Sequence, residues 1–234
     1  MYNSDFFAER DHKTRYSAEQ VLGVVTKALP PVKTAVDIGC GVGTWLSVLA
    51  EGGAESVLGI DGPWVPRDRL VIPTESFVET DLNGDFAPDR RFDLAICLEV
   101  AEHLRPGSAD RFVRNLTRLS DVVLFSAAVP FQGGNQHLNE QWPDYWAHRF
   151  AMAGYLPLDL VRKRLYNDPQ IPLWYRQNAL LYVNEAAVER LGLREAVDLH
   201  LAPERYLLFY PRLTAPGVRQ SAESLARALA RRLI

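Results

Sequence analysis

Cysteine is almost missing from this chain. Two residues, Cys40 and Cys97, stand among 234, too few for a disulfide framework or a cysteine-built zinc site. Both fall in apolar, strand-like surroundings and read as small buried residues in reduced form. Long apolar runs are also missing: none reaches the roughly 18 residues of a membrane span. There is no excess of positive charge either. With 26 basic and 29 acidic residues the net charge is −3, so no general attraction to nucleic acid or to a membrane surface is expected. The opening stretch "MYNSDFFAERDHKTRY" lacks the apolar centre of a signal peptide, which points to the cytoplasm. Repeats and low-complexity segments are absent. What is there is the profile of a soluble globular protein, 47% hydrophobic and 24% charged, long enough for one large domain with a well-buried core.

Short apolar runs alternate with amphipathic stretches. Ser17, followed by Gln20, reads as a capping box opening a helix through Leu29, which Pro30 and Pro31 stop. "TAVDIG" (34–39) reads as a strand and "TWLSVLAEGG" (44–53) as a helix closed by glycine. Further strands are expected at "SVLGID" (56–61), "SFVETD" (76–81), "FDLAICLE" (92–99) and "VVLFSAAV" (122–129), with a helix at 108–120 before the last of these. A helix follows from Pro143 to Ala153, then two final strands at 156–165 and 178–185. This alternation predicts an α/β fold, a mostly parallel sheet covered on both faces with its site at the strands' carboxyl ends. Residues 186–234 read as a helical extension whose last helix carries Leu225, Leu229 and Leu233 on one face.

The most informative segment is "VDIGCGVGTW" (36–45). A strand reaches Asp37, then Gly39, Gly41 and Gly43 alternate before a helix begins. Glycines there let the backbone take φ > 0 and approach a ligand closely. The G-x-G-x-x-G dinucleotide fingerprint fits neither register, and no phosphate-cradling loop with lysine is present. The pattern D-x-G-x-G-x-G resembles that of the class I S-adenosylmethionine-dependent methyltransferases. Later stations match in order: Asp61 ends the second strand in "GIDG", Asp81 and Leu82 follow the third in "ETDLN", and "CLEVAEHL" follows the fourth. The resemblance covers roughly residues 30 to 185. It implies a Rossmann-like sheet of seven strands, the last antiparallel and inserted beside the sixth. The implied domains are an N-terminal helical lid (1–30), a cofactor-binding domain (31–185) and a C-terminal extension (186–234). S-adenosylmethionine is the implied cofactor, with S-adenosylhomocysteine as product. Asp37, Gly39, Gly41, Asp61, Gly62, Asp81, Leu82 and Glu99 are its implied contacts, with Asp61 on the ribose hydroxyls and Asp81 on the adenine amino group.

Methyl transfer from a sulfonium needs alignment of nucleophile and methyl, and where necessary removal of a proton. Histidine suits the second task. His103 and His137 fall just past strands four and five, at the expected functional end, and with Asn139 and Tyr175 they are the candidate catalytic residues. His103 in "EVAEH" serves equally well as a loop-ordering residue. The segment "GGNQHLNEQWPDYW" (133–146) either binds substrate or caps the helix at Pro143. Glu140, Trp142, Trp174 and Arg176 are candidate substrate contacts. Trp142 and Trp146, four apart, also fit a core stripe. Aromatics of the loop 166–178 and of the N-terminal segment (Tyr2, Phe6, Phe7, Tyr16) would wall the pocket or close over it.

The stretch 125–146 also resembles a bacterial group of methyltransferases found in glycan and natural-product gene clusters, which implies a small or sugar-like acceptor with an oxygen or nitrogen nucleophile. Nucleic-acid methylation lacks both the Asn/Asp-Pro-Pro-aromatic motif after strand four and a basic stripe. No Asp/Asn cluster follows strand five, so no metal is expected. Two rivals stay open. A cyclase of the same fold would close the cofactor's own aminobutyrate arm to an azetidine and release methylthioadenosine. A non-catalytic protein would bind the cofactor without turnover. The C-terminal extension is a candidate homodimer surface.

Overall fold

The computed structural model describes residues 4–86 and 88–197, with residues 4–12 as backbone only. Fourteen helices and strands alternate along it: α1 (Ser4–Thr26), β1 (Thr34–Ile38), α2 (Thr44–Glu51), β2 (Ser56–Asp61), β3 (Phe77–Glu79), β4 (Leu94–Leu98), α3 (Ala109–Leu119), β5 (Val122–Ser126), α4 (Pro143–Met152), β6 (Tyr155–Leu158), α5 (Val161–Leu165), α6 (Leu173–Asn178), β7 (Leu180–Asn184) and α7 (Glu185–Arg190). The strands form one seven-stranded sheet in the order β3-β2-β1-β4-β5-β7-β6. All neighbours from β3 to β5 pair in parallel, whereas β7 is antiparallel to both β5 and β6. This is the seven-stranded Rossmann-like sheet that the resemblance implies. Its strand order reverses between β1 and β4, and a ligand crevice opens beyond the carboxyl ends at such a switch point.

Burial explains the strands. Every residue of β4 and β5 is buried, which is why both read as continuous apolar runs rather than as alternation. Ala18, Val21, Leu22 and Val25, spaced for one helical face, bury α1 in the same core as Leu46 and Leu49 of α2. Ala109, Phe112, Val113 and Leu116 give α3 a buried face. Tyr182 of β7 stacks on Phe150 of α4, ring centroids 3.9 Å apart. Removing such a large apolar side chain from water contributes about 1.5–3 kcal/mol each.

Four expectations from sequence are corrected. Ser17 does not cap a helix: α1 begins upstream, and the Ser17 hydroxyl donates back to the Lys13 carbonyl at 2.7 Å within it. The sixth strand does not run over 156–165. It stops at Leu158, because Asp159 and Arg162 are both buried and meet as a bidentate ion pair, 2.9 and 2.6 Å, that winds the chain into α5. The stretch 166–178 is not all loop, since α6 fills its second half. Cys97 sits in β4 as expected, but Cys40 belongs to the glycine turn after β1, buried with its thiol near the Gly41 carbonyl. Among the described residues no helix is long and apolar enough to cross a membrane. The expected leucine-faced helix and the dimer surface built on it lie outside the described residues, as does Tyr2.

Candidate active site

The glycine turn is built for close approach. Gly39, Gly41 and Gly43 take φ of +77°, +53° and +90°, the left-handed region that side chains disfavour. The three glycines do different work. A Cβ on Gly39 would lie 2.2 Å from a Val100 methyl, so that position is closed by packing. A Cβ on Gly41 would meet nothing within 4 Å, so the turn faces open space there. That space is a cavity of about 340 Å³ at the carboxyl ends of β1 and β4, within the range of small-ligand sites.

Two carboxylates stand behind the turn. Asp61, at the end of β2, accepts the Gly41 N–H at 2.7 Å and the Gly62 N–H at 2.6 Å. Asp37 is 2% exposed, and its Oδ2 has no hydrogen-bond partner. Burial first, and then the negative charge of Asp61, push Asp37 well above the usual carboxylate range. An unpartnered buried carboxylate oxygen facing a cavity is suited to a cationic ligand group. Asp81 is exposed, closing a turn on the backbone and side-chain nitrogens of Asn83 at 2.9 and 3.0 Å, which holds it below the usual range. Leu82 beside it is buried. Trp64, unnoticed in the sequence, is 64% exposed and lies against Gly62.

The far wall comes from the ends of β4 and β5. Glu99 leaves β4 at φ +56°, a conformation rare outside glycine. Its side chain is fixed by Gln132 Nε2 at 2.7 Å and Asn178 Nδ2 at 3.2 Å, and Asn178 also reaches Gln132 Oε1 at 2.8 Å. Burial raises its pKa, opposed by those hydrogen bonds. Beyond it a 3-10 turn, Ala101–His103, carries Glu102 inward. The loop after β5 docks on that turn: the N–H groups of Leu138 and Asn139 both donate to the Glu102 carbonyl, at 2.8 and 2.9 Å. This pins His137 edge-on to His103, ring centroids 4.9 Å apart. Trp174 and Tyr175 of α6 line the opposite side, Tyr175 edge-on to Trp45 at 5.3 Å.

Of the residues singled out from sequence, the fold gathers Asp37, Gly39, Gly41, Glu99, His103, His137, Trp174 and Tyr175 around the cavity. Asp61 and Gly62 support its rim through the hydrogen bonds above. Asn139, Glu140, Trp142 and Arg176 are not among the lining residues. Asn139 is buried, its side-chain oxygen taking the Gln141 amide at 2.9 Å. Glu140 organises its own loop, accepting from the N–H groups of Phe131 and Gly133 and from His137. Trp142 precedes α4, while Trp146 packs on Phe125 in the core. Arg176 donates to the Tyr166 carbonyl. The sequence reading passed over Thr14, Gln132 and Glu102 as cavity residues. Gln132 and Thr14 carried no motif, and nothing local to Glu102 shows that the loop after β5 covers it. The aromatic Tyr16 ties α1 to the loop before α6, donating to Asp168 at 2.9 Å.

A model of the methyltransferase domain family matches residues 10–159. No curated protein matches the chain by sequence. Solved structures resemble it in fold. One is the sugar N-methyltransferase KedS8 from Streptoalloteichus sp ATCC 53650, 18% identical over 72% of this chain and 86% of that one, with a TM-score of 0.56. Another is the magnesium protoporphyrin IX methyltransferase ChlM from Synechocystis PCC 6803 with bound SAM, 20% identical over 75% of this chain and 80% of the other, TM-score 0.51. A third is the DhpI–SAH complex, 16% identical over 78% and 91% of the two chains, TM-score 0.52.

Proposed function

This chain belongs to the methyltransferase domain family, whose cofactor is S-adenosylmethionine, and on that premise we propose that it methylates an oxygen or nitrogen of a small, sugar-like or natural-product acceptor. The observation that carries the reading is the pairing of open space above Gly41 with the unpartnered buried oxygen of Asp37. A backbone that admits a ligand, beside an anion that lacks a counter-charge, suits the amino-acid arm of S-adenosylmethionine. When bound, that cofactor supplies a methyl carbon already activated by a sulfonium. Asp37 holds the ammonium, Asp61 the ribose hydroxyls, and Asp81 with Leu82 the adenine edge. Trp174, Tyr175 and Trp45 offer ring faces and edges that exclude water and favour positive charge. The segment of α1 around Thr14 closes the cavity from above as a lid, anchored by Tyr16. His103 and His137, 4.9 Å apart at the wall, receive the acceptor and the proton that its nucleophile loses. The cavity's modest volume favours a small acceptor over a polymer.

The test is incubation of the purified chain with S-adenosylmethionine, with and without a pool of sugar and natural-product acceptors, read by mass spectrometry. S-adenosylhomocysteine formed only with an acceptor is the expected result. Methylthioadenosine and a cyclic amino acid formed without one would replace the reading by intramolecular cyclisation. Tight cofactor binding with no product in either arm would replace it by a binding protein.

A further inference from the structure

We infer that the acceptor is a cation at its reacting end, a small molecule whose nucleophile is an aliphatic amine and whose charge is met by Glu102. This choice of nitrogen over oxygen rests on the methyl-transfer reading. Three carboxylates, Asp37, Glu99 and Glu102, line the cavity, and among the described residues neither lysine nor arginine does. Asp37 is assigned to the cofactor's ammonium, and Glu99 is met by the side-chain amides of Gln132 and Asn178. Glu102 has neither kind of partner. It is 1% exposed, and neither of its carboxylate oxygens has a hydrogen-bond partner. The backbone N–H groups of Glu102 and Ala128 lie near enough to favour its charged form without closing a hydrogen bond. An anion buried in this way is unfavourable, and a cation brought to it removes the cost.

The position of Glu102 matters as much as its charge. One of its carboxylate oxygens lies within 4.8 Å of a ring nitrogen of His103 and of His137, the pair that receives the acceptor and its proton. Its other ionisable neighbours are carboxylates, Glu99 on its own segment and Glu140 on the loop after β5. Burial, and then Glu99, push Glu102 well above the usual carboxylate range, so the group resists ionising until a cation faces it. An amine supplies that cation on both sides of the reaction. The acceptor's ammonium gives one proton to the histidine pair. Its freed lone pair then forms the bond to the methyl carbon, and the carbon–sulfur bonding pair stays on sulfur. The methylated nitrogen is positive again and still faces Glu102. A hydroxyl acceptor is neutral before transfer, and its ether is neutral afterwards, so neither offsets the buried carboxylate. The cofactor does not offset it either. Its ammonium and sulfonium are partly cancelled by its own carboxylate, which leaves too little positive charge for the three carboxylates of the wall.

The reacting end can be probed without knowing the acceptor's scaffold. Sinefungin carries an amine in place of the transferable methyl, whereas S-adenosylhomocysteine is uncharged there. Calorimetry on the full chain at neutral pH should show sinefungin binding about tenfold or more tightly than S-adenosylhomocysteine. Glu102→Gln, which keeps the side chain's size and removes its charge, should cut that ratio by about threefold or more. Equal affinities in the wild type, or an unchanged ratio in Glu102→Gln, would overturn the amine assignment. Wild-type protein alone supplies a second readout. Given S-adenosylmethionine and a pool of amino sugars and alkyl amines mixed with their hydroxyl counterparts, it should leave the methyl on nitrogen, as read by mass spectrometry. Methyl found on oxygen alone would overturn the assignment while upholding methyl transfer. Where no member of the pool is methylated, the binding ratio decides. Failure of S-adenosylmethionine, sinefungin and S-adenosylhomocysteine all to bind would instead overturn the methyltransferase reading, and the amine assignment with it.

Discussion

The Asp61 carboxylate accepts the backbone N–H of Gly41 at 2.7 Å, across 20 residues of sequence. The end of β2 thereby fixes the turn that follows β1, and the side chain that shapes the glycine loop is also the proposed ribose contact. Replacing Asp61 by Ala leaves the Gly41 and Gly62 N–H groups without their acceptor, where hydrogen bonds to a charged group contribute about 1.5–3 kcal/mol. S-adenosylmethionine affinity should fall about tenfold or more by calorimetry. An unchanged dissociation constant would remove Asp61 from the site.

Gly39 and Gly41 separate packing from ligand access. Both pay the left-handed backbone penalty when given a side chain, about 1–2 kcal/mol. Gly39→Ala additionally drives a methyl into Val100, while Gly41→Ala finds nothing in its way. Thermal melting should show Gly39→Ala as the more destabilised. Gly41→Ala should keep its fold but lose cofactor binding, because the added methyl occupies ligand space. Equal melting temperatures for the two variants would contradict this division.

The raised Asp37 pKa has a sign that can be checked. Burial and Asp61 lift it above the unfolded-chain value of about 3.9. The native state then binds more protons than the unfolded chain, so stability falls as pH rises from the ordinary value toward the raised one. Asp37→Asn cannot ionise. Its cofactor-free form should lose less stability between acid and neutral pH, while its cofactor affinity falls. A parent and variant with parallel pH–stability curves would mean that Asp37 is not strained by its charge. Asp61, also raised by burial, retains part of the slope in both.

The buried pair of Asp159 and Arg162 sets where β6 ends. Both are about 4% exposed, so removing Asp159 takes a bidentate carboxylate partner away from a buried guanidinium. Asp159→Ala should cost about 3–5 kcal/mol in denaturant unfolding. A loss below about 1 kcal/mol, the range of an exposed pair, would show that water reaches Arg162.

Much of the site was legible before any folding. The alternation of strands and helices forecast the parallel sheet, and the spaced glycines with Asp37 forecast a close-approach turn at its first carboxyl end. Both are local: φ > 0 selects glycine residue by residue, and a buried parallel strand writes itself as an apolar run. Elements stabilised from a distance were not legible. Ser17 looked like a cap because a capping box is read from four residues, whereas the helix around it is held by packing of Ala18, Val21, Leu22 and Val25. The strand expected to reach 165 ended early because an ion pair buried between elements overrode the local pattern.

The segment 133–146 shows the division most plainly. Sequence determined that it leaves the fifth strand at the ligand end, carries polar side chains, and starts a helix at Pro143. Only tertiary structure decided which of those side chains face the cavity. The Glu102 carbonyl takes the N–H groups of Leu138 and Asn139; Asn139 is buried, Glu140 braces the loop, and His137 is set beside His103. Hydrogen bonds between segments far apart in the chain choose those orientations, and no periodicity along the chain encodes them.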